Sequence, residues 1–306
     1  MQSIDPDHHD AAPQDWHNGV HPAKPFAIGL KPLGAQHFLQ IGDDAPVFRS
    51  QKLALYKESF EQIFQAESGT LLAQQEAATL IIDNLNRFHS QRFSFAHNKI
   101  HSRDDDETIT LDATMPLAST ALLVPDDLVL MARDETGWRL VAASLAFPSS
   151  WNLAEKFGKP MQAVHGPVPM DETMHTRIER IFDHLQPAIP VYRANWSLDP
   201  TPNLRLDSVE LARQGAPHHL DRTAHLRTEF QTLHKLPESG AILFTIGIRT
   251  TALADLPRQP GGMEKLAQLR HQFEAMTPAQ KRYKRLDENP ADLLAWWDDT
   301  LTKEKA

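Results

Sequence analysis

The chain has 306 residues, 41% hydrophobic and 23% charged, the balance of an ordinary globular protein with enough length for a deep core. Asp and Glu total 40 against 31 Lys and Arg, and the resulting net charge of −9 argues against a nucleic-acid binder, which needs a basic face for phosphates. Cysteine is absent, so the chain supplies no thiolate ligand, disulfide, all-cysteine iron–sulfur cluster or c-type haem attachment.

Residues 1–25 are polar, carry His8, His9, His17 and His21, and show no hydrophobic period; they are expected to form a flexible tail. They hold no apolar signal core, and no run of about 18 apolar residues follows, so the sequence predicts a cytoplasmic protein with no membrane association. FAIGLKPL (26–33) opens the ordered part as a candidate edge strand. Residues 46–66 and 70–90 are predicted helices. In the second, Leu71, Ala78, Ile81, Leu85 and Phe88 recur at helical spacing. HSRDDDET (101–108) reads as a solvated acidic loop, since three adjacent aspartates do not converge on a cation as a cage must.

The period changes in the middle of the chain. Residues 127–147 form two strand-like runs joined at Asp134-Glu135-Thr136-Gly137, a hairpin signature. Residues 171–186 return to helix, with Asp171 as cap, Met174, Ile178, Ile181, Phe182 and Leu185 as apolar face, and Pro187 as stop. VYRANWSL (191–198) and AILFTIGI (241–248) are predicted strands, the second apolar enough for the centre of a sheet. Residues 222–236 are predicted helical, and helices return after residue 260. The expected class is α+β: a mostly antiparallel sheet flanked by helices, with a helical extension over 260–306.

Several chemistries lack their motifs. No glycine-rich dinucleotide fingerprint or phosphate loop occurs, and FPSSW lacks the glycines of a nucleophile elbow. His219-Leu220-Asp221 with His271 matches the two-histidine, one-carboxylate pattern of non-haem iron oxygenases. Those residues lead into or lie on predicted helices rather than barrel strands, so the match is read as chance among 16 histidines.

The densest group of unusual residues is FPSSWNLAEKFGKPMQAVHGPVP (147–169). His165 stands beside a Pro-Val-Pro strut that would hold its imidazole at a fixed angle, as a metal ligand requires; the same pattern also suits a surface turn with an incidental histidine. Together with YRANWSL (192–198) and LRTEFQTLHKLPESGAILFTI (226–246), this block resembles the alpha subunit of haem-dependent oxidative N-demethylase. The first stretch is similar to the family's Phe-Pro-Ser-Gly-Trp…His-x-Pro-Val-Pro, the second to its Arg-x-Asn-Trp, the third to its Leu-Arg-x-Glu-x-Gln-Thr-Leu…Leu-Pro…Phe-Thr-Ile. Three departures stand out: Ser150 replaces glycine, and Phe230 and His234 replace arginines.

The resemblance covers roughly residues 26–255 and implies a PAS-like haem domain over 26–259. It implies haem b, whose iron must take His or Tyr in a chain without cysteine, and His165 is the histidine on a family motif. Lys159, Arg193 and Arg227 are then candidate haem-binding cations, Trp151 and Trp196 candidate haem walls; each also has an ordinary reading, as surface charge or plain core. The implied reaction is oxidative N-demethylation of a small secondary amine with dioxygen, releasing formaldehyde, with Glu229 as the candidate for holding the ammonium group. Electrons would come from a separate flavin- and iron–sulfur-containing reductase. The competing class is a PAS-like haem or small-molecule sensor without turnover.

Overall fold

The computed structural model describes residues 26, 28–166, 168–169, 172–207, 222–287 and 290–303. The N-terminal histidines, Asp171 and the His219–Asp221 pair lie outside them.

Strands β1 (Lys31–Pro32), β2 (Phe64–Ala66), β6 (Asp127–Asp134), β7 (Gly137–Ser144), β8 (Val191–Asp199), β9 (His225–Lys235) and β10 (Ile242–Ala252) form one sheet in the order β1-β8-β9-β10-β6-β7-β2. Every pairing in it is antiparallel. The hairpin predicted over 127–147 is β6–β7, and the 241–248 segment is β10, the middle strand of seven. The first expectation rests on the Asp134–Gly137 turn signal between two strand-like runs, the second on apolar content, which tracks burial on two faces. The FAIGLKPL segment contributes a two-residue edge strand.

Helix α1 (Ala45–Ile63) ends three residues before the predicted boundary, where the chain turns extended as β2. Helix α2 (Leu71–Phe88) follows the predicted period. Ala73, Ala77, Ile81 and Leu85 are buried on it, whereas Leu71 is exposed. A three-stranded sheet is formed by β3 (Phe93–Ala96), β4 (Lys99–Ser102) and β5 (Glu107–Thr110), so the acidic loop expected over 101–108 narrows to the turn between β4 and β5. The three aspartates lie in its second turn, where Asp104 pairs with Arg92 and Asp105 with the buried Arg49.

The largest correction falls on residues 222–236. They are not helical: residues 225–235 form the eleven-residue strand β9, paired along its length with β8 and β10.

Each face of the large sheet carries its own core. Leu128, Leu130, Tyr192, Phe230 and Leu243 pack with α2, β3–β5 and α3 (Pro116–Ala121) on one face. On the other, Val129, Met131, Leu233 and Ile242 pack with α4 (Leu153–Lys156), α5 (Met161–Val164) and α6 (Glu172–His184). Helices α7 (Gly262–Ala275), α8 (Pro278–Tyr283) and α9 (Ala291–Lys303) form a third core with Trp196, Leu198 and Leu226. Residues bonded across neighbouring strands share a face. Arg193↔Gln231, Asn195↔Glu229 and Ser197↔Arg227 therefore lie on the α4–α6 face, and Trp196↔Thr228 on the opposite one.

Candidate functional site: a polar cluster on β8–β9 beside His165

The site is assembled from the α4–α5 segment, which is bonded to β7 at Arg139 and Leu140, and from the polar residues of β8 and β9 on the same face of the sheet, with Arg193 within electrostatic reach of His165. Ser150 begins the segment with φ +66°, a left-handed conformation that glycine adopts freely and serine does not. This is the position where the family pattern has glycine, so backbone geometry accounts for the pattern. Asn152 caps α4 through a reciprocal capping box with Glu155. Pro160 opens the single turn of α5, Lys156 Nζ donates to the Val164 carbonyl at 2.6 Å, and His165 terminates the turn.

His165 Nδ1 lies 3.1 Å from the Met161 carbonyl oxygen. A carbonyl only accepts, so Nδ1 carries the proton and Nε2 keeps its lone pair. Burial pushes the imidazole down to about 4, against the opposing pull of the Met161 bond; the nearby Arg193 cation pushes the same way. The ring is thus neutral at physiological pH with a fixed tautomer, the form in which histidine binds a metal.

Across from it, β8 and β9 carry charged groups on one face. Glu229 accepts from Gln231 Nε2 at 2.9 Å and Asn195 Nδ2 at 3.2 Å, and Arg227 Nε lies 3.6 Å from its other oxygen. Lys284, which follows α8, reaches over the edge of β8. Its ammonium donates to Asn195 Oδ1 at 3.2 Å and to the Trp196 carbonyl, and lies 5.0 Å from the Trp196 ring centroid. The Lys284 bond fixes which end of the Asn195 amide faces Glu229. Burial lowers Lys284 to about 8, with Glu229 opposing.

The two arginines of this face differ. Arg227 is fully buried, and its guanidinium donates to the Leu204 carbonyl at 2.8 Å and the Phe147 carbonyl at 2.7 Å besides facing Glu229. Arg193 has a buried Nε with no hydrogen-bond partner among the described residues, and burial depresses its pKa while Glu229 opposes. A guanidinium desolvated without a direct counter-charge is a ready carboxylate site.

The structure therefore brings His165, Arg193, Arg227 and Glu229 into one electrostatic neighbourhood. It places the other sequence candidates elsewhere. Lys159 is exposed after the Gly158 turn. Trp151 is half-buried against the α4–α6 core. Trp196 points to the opposite face, where its indole donates to Gln272 Oε1 at 2.8 Å. Asn195, Gln231 and Lys284 were not singled out in the sequence. The first two follow from Arg193 and Glu229 once β9 is a strand, whereas nothing local marks Lys284.

Among the described residues no group of three or more His, Asp or Glu side chains could hold a metal ion. His271 is exposed on α7. A haem needs only one protein ligand. Of the three tyrosines, Tyr56 is bonded to Ser144 and the Ala118 carbonyl and Tyr192 is packed on Phe230, which leaves neither hydroxyl on this face of β8 and β9. Tyr283 stands edge-on to Phe26 within electrostatic reach of Arg193 and Glu229, and burial raises its pKa, so its phenol holds its proton more tightly than a free tyrosine and is the poorer ligand beside a neutral imidazole. His234 is buried on the far face against Phe38. His165 thus fits an axial ligand, and Arg193 fits a carboxylate.

Fold and site together define an α+β protein with an oriented imidazole beside a polar cluster. The chain matches the family model "Haem-dependent oxidative N-demethylase, alpha subunit-like" over residues 29–294, and belongs to that family. The match runs through α7 and α8 into α9, so the family region includes Lys284 and most of the segment the sequence had suggested as an extension. Among the described residues, no helix is long and apolar enough to cross a membrane.

Proposed function

We propose that the chain is the oxygen-consuming component of an N-demethylase acting on a small secondary amine, with haem b held by His165. The observation that carries this reading is the His165 geometry: a half-buried, neutral ring whose Nδ1–H is committed to the Met161 carbonyl, in a member of a haem-dependent family. The module over 26–259 is read as PAS-like.

When bound, the haem supplies dioxygen activation and one-electron chemistry. The protein supplies position and charge. His165 presents Nε2, and its bond to Met161 stops the ring from turning. Glu229 is held by Asn195 and Gln231 through Oε2, and its Oε1 faces Arg227 Nε at 3.6 Å, too far for a hydrogen bond, so Oε1 keeps acceptor capacity for an ammonium group. Lys284 keeps Asn195 in that orientation. In the balanced reaction the secondary amine, dioxygen, two electrons and two protons give the primary amine, formaldehyde and water. The two electrons must come from outside, because the chain has no cysteine for a cluster and no dinucleotide fingerprint. A separate flavin- and iron–sulfur-containing reductase is the proposed donor.

The test is formaldehyde release from a dialkylamine by hemin-loaded protein. NADPH alone should give none, and a compatible reductase or a chemical reductant with oxygen should give turnover. Sustained NADPH-driven turnover by this polypeptide alone contradicts the external-donor reading. Haem binding with no turnover under any reductant would favour the sensor class instead.

A further inference from the structure

Among the described residues, cations outnumber carboxylates in the polar cluster: Arg193, Arg227 and Lys284, with Arg285 near Asp199, stand against Glu229 and Asp199. A simple dialkylammonium ion paired with Glu229 would add another cation in a poorly solvated place, where like charges repel strongly. An amine that also carries a carboxylate adds no net charge.

Arg193 is where such a carboxylate would sit. Its Nε is buried without a partner, and no direct ion pair to it occurs among the described residues. Arg193 is paired with Gln231, two residues along β9 from Glu229 and on the same face. Diagonal neighbours of this kind are about 7–8 Å apart at the backbone, within reach of long side chains. The pair thus offers a cation and an anion on neighbouring strands of one face, within reach of the two ends of one small zwitterion.

We propose that the site takes an N-methylated amino acid, with its carboxylate on Arg193 and its ammonium on Glu229. This rests on the reading of Glu229 as the amine-holding group. A haem propionate carries the same carboxylate chemistry, and the experiment separates the two.

Isothermal titration of the full-length, hemin-loaded protein with N-methylglycine and with dimethylamine is the direct test. N-methylglycine should bind about tenfold tighter or more, as a charge-assisted pair implies. Arg193→Gln should erase that preference, weakening N-methylglycine and tightening dimethylamine through the loss of one nearby cation, with the Soret band in place, and Arg193→Lys should restore part of the preference. Equal binding of the two amines by wild-type protein overturns the proposal, and this arm needs no variant. Loss of the Soret band in Arg193→Gln with the preference intact also overturns it, assigning Arg193 to a propionate. The two readings fail differently. Protein that retains no haem but still prefers N-methylglycine through Arg193 sinks the proposed function alone. Formaldehyde release from dimethylamine with no preference for the carboxylated amine sinks this inference alone.

Discussion

On one side of β8 and β9, Tyr192, Trp196, Phe230 and His234 are packed into apolar cores; on the other, Arg193, Asn195, Arg227, Glu229 and Gln231 stand shoulder to shoulder. Both sides are largely shielded from water. On the first, shielding is paid back by apolar burial, and the one titratable ring, His234, is simply held neutral with its Nε2 unpartnered. On the second, each polar group leans on the next, and the chain of contacts stops at Arg193. The same contrast separates two neutral histidines. His234 is pushed down to about 3 by burial alone, and His165 to about 4, but only His165 has its other nitrogen tied to a carbonyl. Neutrality follows from burial; orientation requires a partner, and the oriented ring is the one on the polar face.

The largest expected effect separates the two arginines. Arg227→Ala removes the donor to the Leu204 and Phe147 carbonyls and leaves Glu229 short of a cation. It should cost about 3–5 kcal/mol in chemical denaturation, the usual loss when one partner of a buried charge network is deleted. Arg193→Gln should cost about 1 kcal/mol or less, since it removes no hydrogen bond through Nε. Equal losses would mean that the two guanidiniums are alike in role, against the account.

His234 offers a test through pH. Its folded value lies below that of the unfolded chain, so between about 6.5 and 3 the unfolded state binds the extra proton and stability falls as pH falls. Above that window both states are neutral and nothing is contributed. From pH 6.5 to 5 the residue should account for about 2 kcal/mol of lost stability. His234→Leu should flatten that part of the pH–stability curve. An unchanged slope would show that the ring is not held neutral.

The smallest effect concerns Ser150. Relief of its left-handed backbone by Ser150→Gly should stabilise the protein by about 1 kcal/mol without moving any spectral feature of a bound cofactor. A destabilised variant would mean that the serine side chain has a role beyond tolerating the turn.

Much of the fold was legible where one period dominates. Helix α2, the β6–β7 hairpin, α6 and central β10 all follow from apolar spacing or content. Strand β9 was misread for a physical reason. Its polar-face residues Arg227 and Gln231 are as buried as its core-face residues Thr228 and Thr232, so no alternation of apolar and polar survives. Leu226, Phe230 and Leu233 meanwhile fall at helical spacing. The sheet β3–β5 was hidden by short strands and a charged turn whose acids are partly spent on Arg49 and Arg92. In the site, the histidine and the charged residues of β8 and β9 could be named from motif resemblance. Lys284 could not, because its link to Glu229 passes through a strand edge nearly ninety residues away in sequence. The substitutions of Phe230 and His234 for family arginines fall on the core face, away from Glu229, which the sequence alone could not reveal.

The central claim is that His165 holds haem through Nε2, and the visible spectrum of purified, hemin-supplemented protein tests it most directly. Wild-type protein should show an intense Soret band whose pigment extracts into acid–acetone. His165→Ala should lose or shift that band while circular dichroism stays near wild type, and His234→Ala should keep it. A colourless wild-type protein that also refuses added hemin, or a His165→Ala spectrum identical to wild type, would contradict the account.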